Sequence, residues 1–449
     1  MKQIYALMLM LMMASVAFTG CVSDDSDDAK DTTTDSTGDG TGDGTGDGTG
    51  DGTGDGTGDG TTTAVPGCMD STANNFNAEA TEDDGSCTFD AVGADTQSTL
   101  DAVIAAGSMK CGVKTSQFGM GYLADDGSRS GLDIEYCRAV AAAIGLDPDT
   151  QISYVLATGS NRFDLLAAGD IDVLIRTTTW TTSRDADLNA DFAGINFYDG
   201  QGMLVNLEAH PDADSVADLN DATVCVGIGT TTEGNLADYF SVEGLSYTAV
   251  NSADADAAKA SFVDGACSAW TGDMSAMVAQ KWGLEQRTGD DALSFQMAIM
   301  PELMSKEPLG AATRDNDDEW NDVVTWVWYG MLTAEELGVT SVNAAAEATA
   351  AAVVCEVDEN GDKVDSTCVD GDPNKNRLLN NNLGLGSETN PLADDWMQKV
   401  LAASGNYAEA YDRSFCDGTG AFENCLIDRA NTQNAPYWAG GLQYAPPMR

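Results

Sequence analysis

The stretch Gly169-Asp170-Ile171-Asp172-Val173-Leu174-Ile175-Arg176-Thr177-Thr178-Thr179-Trp180-Thr181-Thr182-Ser183-Arg184-Asp185 decides how the rest of the chain is read. The apolar run from Ile171 to Ile175 reads as a buried strand, and a hydroxyl-rich segment ending in Arg184 follows it. Loops beyond the carboxyl ends of strands are where α/β sheets bind ligands. A guanidinium fork supported by Thr hydroxyls and backbone N–H groups makes a carboxylate clamp. A Thr-rich helix cap followed by a surface Arg would look the same in isolation.

Working outward, the texture from Ser98 onward is α/β. Short apolar runs at Cys111 to Val113, Ile152 to Leu156, Met203 to Val205, Val224 to Ile228 and Ala298 to Met300 alternate with helical patterns. After Gly131, Cys137, Val140, Ala141 and Ile144 recur at helical spacing, which puts Cys137 on a buried face within reach of Cys111. A second constellation, Gly227-Ile228-Gly229-Thr230-Thr231-Thr232-Glu233, sits between a strand and a helix. Glycine permits the tight turn, and the helix start offers free N–H groups to an anion such as a carboxylate or phosphate. It lacks the Gly-Lys-Ser/Thr of a nucleotide-binding loop. A third, Ala266 to Ser275, places Asp273 after a strand. An Arg and an Asp in one cleft are the minimum set for recognising a zwitterion.

Composition removes other classes. The 449 residues hold 73 Asp and Glu against 21 Lys and Arg, a net charge of -52, with one His and 43% hydrophobic residues. A surface this negative repels phosphate backbones, which excludes nucleic-acid partners, and a single His leaves little for a histidine-based metal or catalytic site. An acidic, Lys-poor surface suits a protein that stays hydrated in salty water.

Compartment follows from the first residues. Lys2 precedes an apolar run from Ile4 to Phe18, the length of a signal-peptide core and too short to span a bilayer comfortably. Phe18-Thr19-Gly20-Cys21 resembles the lipobox of prokaryotic lipoproteins, so residues 1 to 20 are expected as signal peptide and Cys21 as a lipidated first residue. Residues 21 to 66 then form a tether with six copies of Thr-Gly-Asp-Gly between Thr37 and Gly60, which spans roughly 35 to 40 Å as a flexible coil. Residues 67 to 90 form a small Cys-flanked module whose Asp70, Asn75, Asn77, Asp83 and Asp84 could hold Ca²⁺. A stapled spacer without a cation is the plainer reading, and no other metal or cofactor is expected.

Ten further cysteines read as an extracytoplasmic disulfide framework. Neighbour pairing is expected: Cys68 with Cys87, Cys111 with Cys137, Cys225 with Cys267, Cys355 with Cys368, and Cys416 with Cys425. Asn360-Gly361, between Cys355 and Cys368, signals a two-residue hairpin turn.

The ordered succession of these motifs resembles the substrate-binding proteins of polar amino-acid ABC importers, in their general L-amino-acid-binding branch. Gly131-Leu132-Asp133-Ile134-Glu135-Tyr136, Arg162-Phe163, Gly169 to Leu174, Thr178 to Asp185, Asp191-Phe192-Ala193-Gly194 and Tyr198 to Gly202 carry the likeness. Gly229 to Glu233, Leu236 to Phe240, Ser305-Lys306-Glu307-Pro308-Leu309-Gly310, Glu335-Glu336-Leu337-Gly338 and Gly440 to Arg449 continue it.

That resemblance implies an α/β, two-lobed, type II periplasmic-binding-protein clamshell with a hinge. Lobe 1 would comprise residues 98 to 203 and 309 to 449, the latter including a C-terminal extension, and lobe 2 residues 204 to 308. Crossings are expected near Leu204 and Leu309. It implies that Arg184 pairs with a ligand α-carboxylate, assisted by Thr179, Thr181 and the Thr230-Thr231 helix start. Asp273 would take the α-ammonium, and Tyr122 and Trp180 would pack on the side chain. The expected partners are an L-amino acid, an ABC permease and, through the lipid anchor, the membrane, with the protein a monomer. The alternatives are a periplasmic dehydratase on the same fold, which needs a general acid that His210 is poorly placed to supply, and a surface sensor or adhesion protein.

Overall fold

A computed structural model describes residues 65–67, 77–78, 80–83 and 98–449, apart from 353–354, 357, 361–363 and 370. The expected signal peptide, Cys21, all of the expected tether but its last two residues, the Cys68–Cys87 pair and the side chains of Asp70, Asn75, Asp83 and Asp84 lie outside the described residues. In the small module, Pro66–Gly67 pairs in parallel with Glu82–Asp83.

Two mixed sheets organise residues 98–449. The first runs Phe197–Asp199, Glu307–Arg314, Val173–Thr179, Met109–Val113, Ile152–Leu156, with Ala190–Phe192 also pairing to Glu307–Arg314. The second runs Tyr247–Ser252, Ala222–Gly227, Ala269–Asp273, Gln201–Asn206, Met297–Ile299. The chain passes from the first sheet to the second at Gly200 and returns between Ile299 and Glu307. Both passages precede the expected crossings at Leu204 and Leu309, because Gln201–Asn206 pairs along its whole length inside lobe 2 and Glu307 already belongs to lobe 1. The apolar runs marked the centres of these strands without marking where the backbone changes partners.

The same limit applies to the opening stretch. The strand covers Val173–Thr179, all seven residues of it buried. Arg176, Thr177, Thr178 and Thr179 therefore belong to a central strand and not to the loop after it, and only Thr181 begins the turn, capping helix Thr182–Asp187 through the Arg184 N–H.

Helix Leu132–Ala143 is buried along most of its length, as its Ala-rich run against two packing partners requires. Its entry depends on Gly131, whose φ is 115° and whose added Cβ would meet the Met120 carbonyl oxygen at 2.0 Å. Cys137 on this helix is bonded to Cys111 of the neighbouring strand. Cys225–Cys267 staples lobe 2, and Cys355–Cys368 and Cys416–Cys425 close two small loops, all as the spacing predicts. In the Cys355–Cys368 loop Glu359 and Asn360 form a turn, but no strand pair flanks it among the described residues; Asp365–Thr367 is a 3-10 turn instead.

The last eighty residues complete lobe 1. Helices Pro373–Asn380, Trp396–Ser404 and Tyr407–Phe415 pack on helices Leu132–Ala143 and Asp318–Glu336. Trp396, Tyr407, Tyr411 and Phe415 share one core with Tyr136, Trp320 and Trp328. Burial of such side chains contributes about 1.5–3 kcal/mol each. Polar ties reinforce the joint: Arg429 forks onto Glu335 at 2.7 and 3.0 Å, and the Asn434 side chain exchanges two hydrogen bonds with the Tyr198 backbone.

Candidate functional site

Between the two sheets lies one cavity of about 110 Å³ that both lobes line. Lobe 1 supplies Lys114, Arg162, Arg176, Thr177, Thr179 and Arg184; lobe 2 supplies Thr230, Thr231, Trp270 and Asp273 among others. Parallel strands place these side chains, since Lys114 follows Met109–Val113, Arg176 to Thr179 close Val173–Thr179, and Asp273 ends Ala269–Asp273. Helix Thr231–Glu243 points its N-terminus at the same space, and the Thr230 hydroxyl turns back to the Gly227 carbonyl at 2.7 Å. Free N–H groups of the first helical turn thus face a site rich in cations, an arrangement for an anionic group.

Of the residues expected from sequence, Thr179, Arg184, Thr230, Thr231 and Asp273 come together here. The Arg184 guanidinium is fixed by donating to the Thr179 carbonyl at 2.9 Å and by lying 5.7 Å from the Phe163 ring centre. Thr181, Trp180 and Tyr122 do not line the cavity. Thr181 is spent on the helix cap, while Trp180 stacks on Phe192 at 5.5 Å on the outer side of lobe 1, where its ring is 38% exposed. Tyr122 lies edge-on to Phe118 in a small separate sheet. His210 bonds Ser268 at 2.8 Å and is not a lining residue, so it supplies no acid to the cavity.

Three cations were not singled out from the sequence: Lys114, Arg162 and Arg176. The signal for Arg176 was available, because a charged residue inside the run Val173-Leu174-Ile175-Arg176 cannot be buried without purpose. Arg162 and Arg184 lie at 5.2 and 5.7 Å from the ring centre of Phe163. Burial lowers the affinity of all three arginines for their protons, taking Arg176 to about 10. Burial, then the neighbouring Arg176, lowers Lys114 to about 7, and its ammonium donates to the Gln117 Oε1 at 2.7 Å. Burial likewise raises Asp273, raises Asp133 to about 6, and, together with Asp273, raises Asp199 to about 7.

The lobes touch directly around the cavity. Gln117 donates to Ser275 at 3.0 Å, Gln280 donates to the Ser116 carbonyl at 3.0 Å, and Phe118 stacks on Trp282 at 4.7 Å. Most connected is Glu307, 1% exposed on the returning strand. Its carboxylate accepts from the Thr179 hydroxyl of lobe 1, from Thr231 at 2.8 Å and Asn235 at 2.7 Å of lobe 2, and from Ser305 at 2.5 Å. Four neutral donors satisfy this buried charge, two of them side chains that also line the cavity.

Comparison with known proteins gives the same frame. Residues 109–381 match the family described as bacterial extracellular solute-binding proteins, family 3. The chain is 38% identical over 357 residues, 80% of its length and 95% of the relative's, to a glutamate/glutamine/aspartate/asparagine-binding protein of Rhodobacter capsulatus. It is 36% identical over 368 residues, 80% of its length and 96% of the relative's, to a general L-amino acid-binding periplasmic protein of Rhizobium johnstonii. A solved ABC transporter periplasmic binding protein from Brucella ovis with glutathione bound shares 37% identity at a TM-score of 0.66, covering 79% of this chain and 100% of that one. A two-lobed α/β fold with a cation-rich interlobe cavity, matched by this family over most of the folded region, makes the chain a member of the family 3 bacterial extracellular solute-binding proteins.

Proposed function

We propose that the protein captures free L-amino acids outside the cytoplasm and delivers them to an ABC permease, performing no chemistry on them. The observation that carries this reading is the convergence of Arg184 and the Thr231 helix start with Asp273 from opposite lobes on one cavity. Arg184 and the helix N–H groups suit the α-carboxylate, with Thr179 as a further donor, and Asp273 suits the α-ammonium. In a site shut off from water these charge-assisted bonds favour a zwitterion over an amine or an acid alone. For the dehydratase alternative, His210 supplies no general acid, because it bonds Ser268 and is not a lining residue.

The signal core and Cys21 support export and lipid anchoring, with the Gly-Asp-Thr tether holding a monomeric receptor off the membrane. Cys21→Ala is expected to release the protein from the membrane fraction. The central test is calorimetric titration of the purified protein, freed of bound solute by unfolding and refolding, with each of the twenty amino acids. A receptor binds at least one of them more tightly than about 100 μM, roughly 5 kcal/mol; if none does, the reading is wrong.

A further inference from the structure

The zwitterion accounts for Arg184 and Asp273 and leaves most of the cavity's charge unassigned. Lys114, Arg162 and Arg176 also face the space, whereas its lining holds two carboxylates, Asp273 and Asp254, the latter capping helix Ala255–Val263 through the Ala257 N–H. Among the described residues, none of these cations forms an ion pair. Arg176 is 7% exposed and its Nε has no hydrogen-bond partner; Arg162 is 2% exposed with the same atom unpartnered; Thr177, 6% exposed, has an unpartnered hydroxyl. A buried donor left unmatched costs on the order of 1–3 kcal/mol, and more when charged. The neighbouring carboxylates form no ion pair with them: Glu307 is committed to four neutral donors and Asp199 accepts from the Gly200 and Ser275 backbone, while Asp133 accepts from the Thr177 N–H through one oxygen, leaves the other without a hydrogen-bond partner, and offsets part of the charge of Lys114 and Arg176 from outside the cavity lining.

We propose that Arg176, with Lys114 and Thr177, forms a second anion subsite in the same cavity, one that takes the side-chain carboxylate of an acidic L-amino acid. This rests on the amino-acid-binding reading above and narrows it. The chemistry separates acid from amide. Arg and Lys carry donors and no acceptor, so both oxygens of a carboxylate meet donors here. The NH₂ of a glutamine or asparagine side chain would instead face a wall of donors. Gln117 Oε1, the amide acceptor held against Lys114, already takes its ammonium. Gln117 is itself held from the other lobe by Ser275, so the subsite is set when the lobes are together.

The test is calorimetry at pH 7 on the whole refolded chain with L-glutamate, L-aspartate, L-glutamine, L-asparagine and L-alanine. At least one acid is expected to bind about 10-fold or more tighter than its own amide, the effect of one charge-assisted contact. Amides equal to or tighter than both acids overturn the subsite while leaving an amino-acid receptor intact; no binding by any amino acid overturns both. Arg176→Met is expected to bring the ratio of acid to amide affinity close to one, and the milder Thr177→Val to lower it a few-fold. A ratio unchanged in both variants, each still binding amino acids, overturns the assignment to this wall. The wild-type ranking decides the question even if Arg176→Met does not fold.

Discussion

The two lobes differ in how they are built and in what they bring to the ligand. Lobe 1 has one large aromatic-rich core that fuses the sheet, helix Asp318–Glu336 and the C-terminal extension, besides a small cluster beneath Leu166 and Phe192. Lobe 2 has two modest cores, one on each face of its sheet, around Phe240 and around Phe262 with Trp270. Lobe 1 also contributes all four cavity cations, while lobe 2 contributes the carboxylates Asp273 and Asp254 and the N-terminus of helix Thr231–Glu243. The heavily packed lobe can hold four buried like charges in fixed positions because its scaffold is stiff, and the lighter lobe closes over them with two carboxylates and a helix start.

This contrast can be broken from either side. The largest effect is expected at Trp396, fully buried in the lobe 1 core: Trp396→Ala should cost about 4 kcal/mol in denaturant unfolding. A loss under 1 kcal/mol would mean that the extension is only draped over lobe 1. Next comes Arg184→Ala, which should weaken amino-acid binding by about 100-fold or more in calorimetry; unchanged affinity would move the α-carboxylate elsewhere. Removing Cys225–Cys267 by double alanine substitution, across a separation of 42 residues, should cost about 3–4 kcal/mol. In lobe 2, with its smaller cores, that loss should split the thermal transition in two, and a single transition would deny the lobes their independence.

The smallest effect concerns pH. Burial and Asp273 raise the Asp199 carboxyl from 3.8 to about 7. Between those values the folded protein keeps a proton that the unfolded chain has released, so this group makes stability fall as pH rises from about 4 to about 7. Asp199→Asn should flatten that part of the pH–stability curve, and a slope identical to wild type would remove Asp199 as its source.

Much of this was legible in the chain, and the limits are physical. Apolar runs mark six strands, Met109–Val113, Ile152–Leu156, Val173–Thr179, Gln201–Asn206, Ala222–Gly227 and Met297–Ile299, because such strands announce themselves by composition; they miss the central strand Glu307–Arg314, which opens on a charge and is built mainly of small residues, and the largely exposed edge strand Tyr247–Ser252. Arg184, Asp273 and the Thr230-Thr231 turn were legible because a helix start and a strand end have recognisable chemistry. Trp180 was misleading: sitting between two Thr residues of the motif, it reads as a ligand contact, yet the chain turns at that point and sends the ring outward onto Phe192. Arg176 was read as a loop residue, since hydrophobicity ends a strand at the first charge while backbone pairing continues to Thr179. The joint between the last eighty residues and lobe 1 is made of contacts such as Ser404 to the Glu135 carbonyl, 269 positions apart, which no local pattern can foretell.

Helix Thr99–Ala106 and Met448, from opposite ends of the clamshell's sequence, both belong to the lobe 1 core. Lobe 2 is therefore an insertion, entered at Gly200 and left before Glu307, with no free end of its own. A pull applied at the amino terminus is borne by lobe 1 alone and never crosses the hinge. The grip of the two lobes on a solute is thus mechanically uncoupled from tension arriving at residue 98.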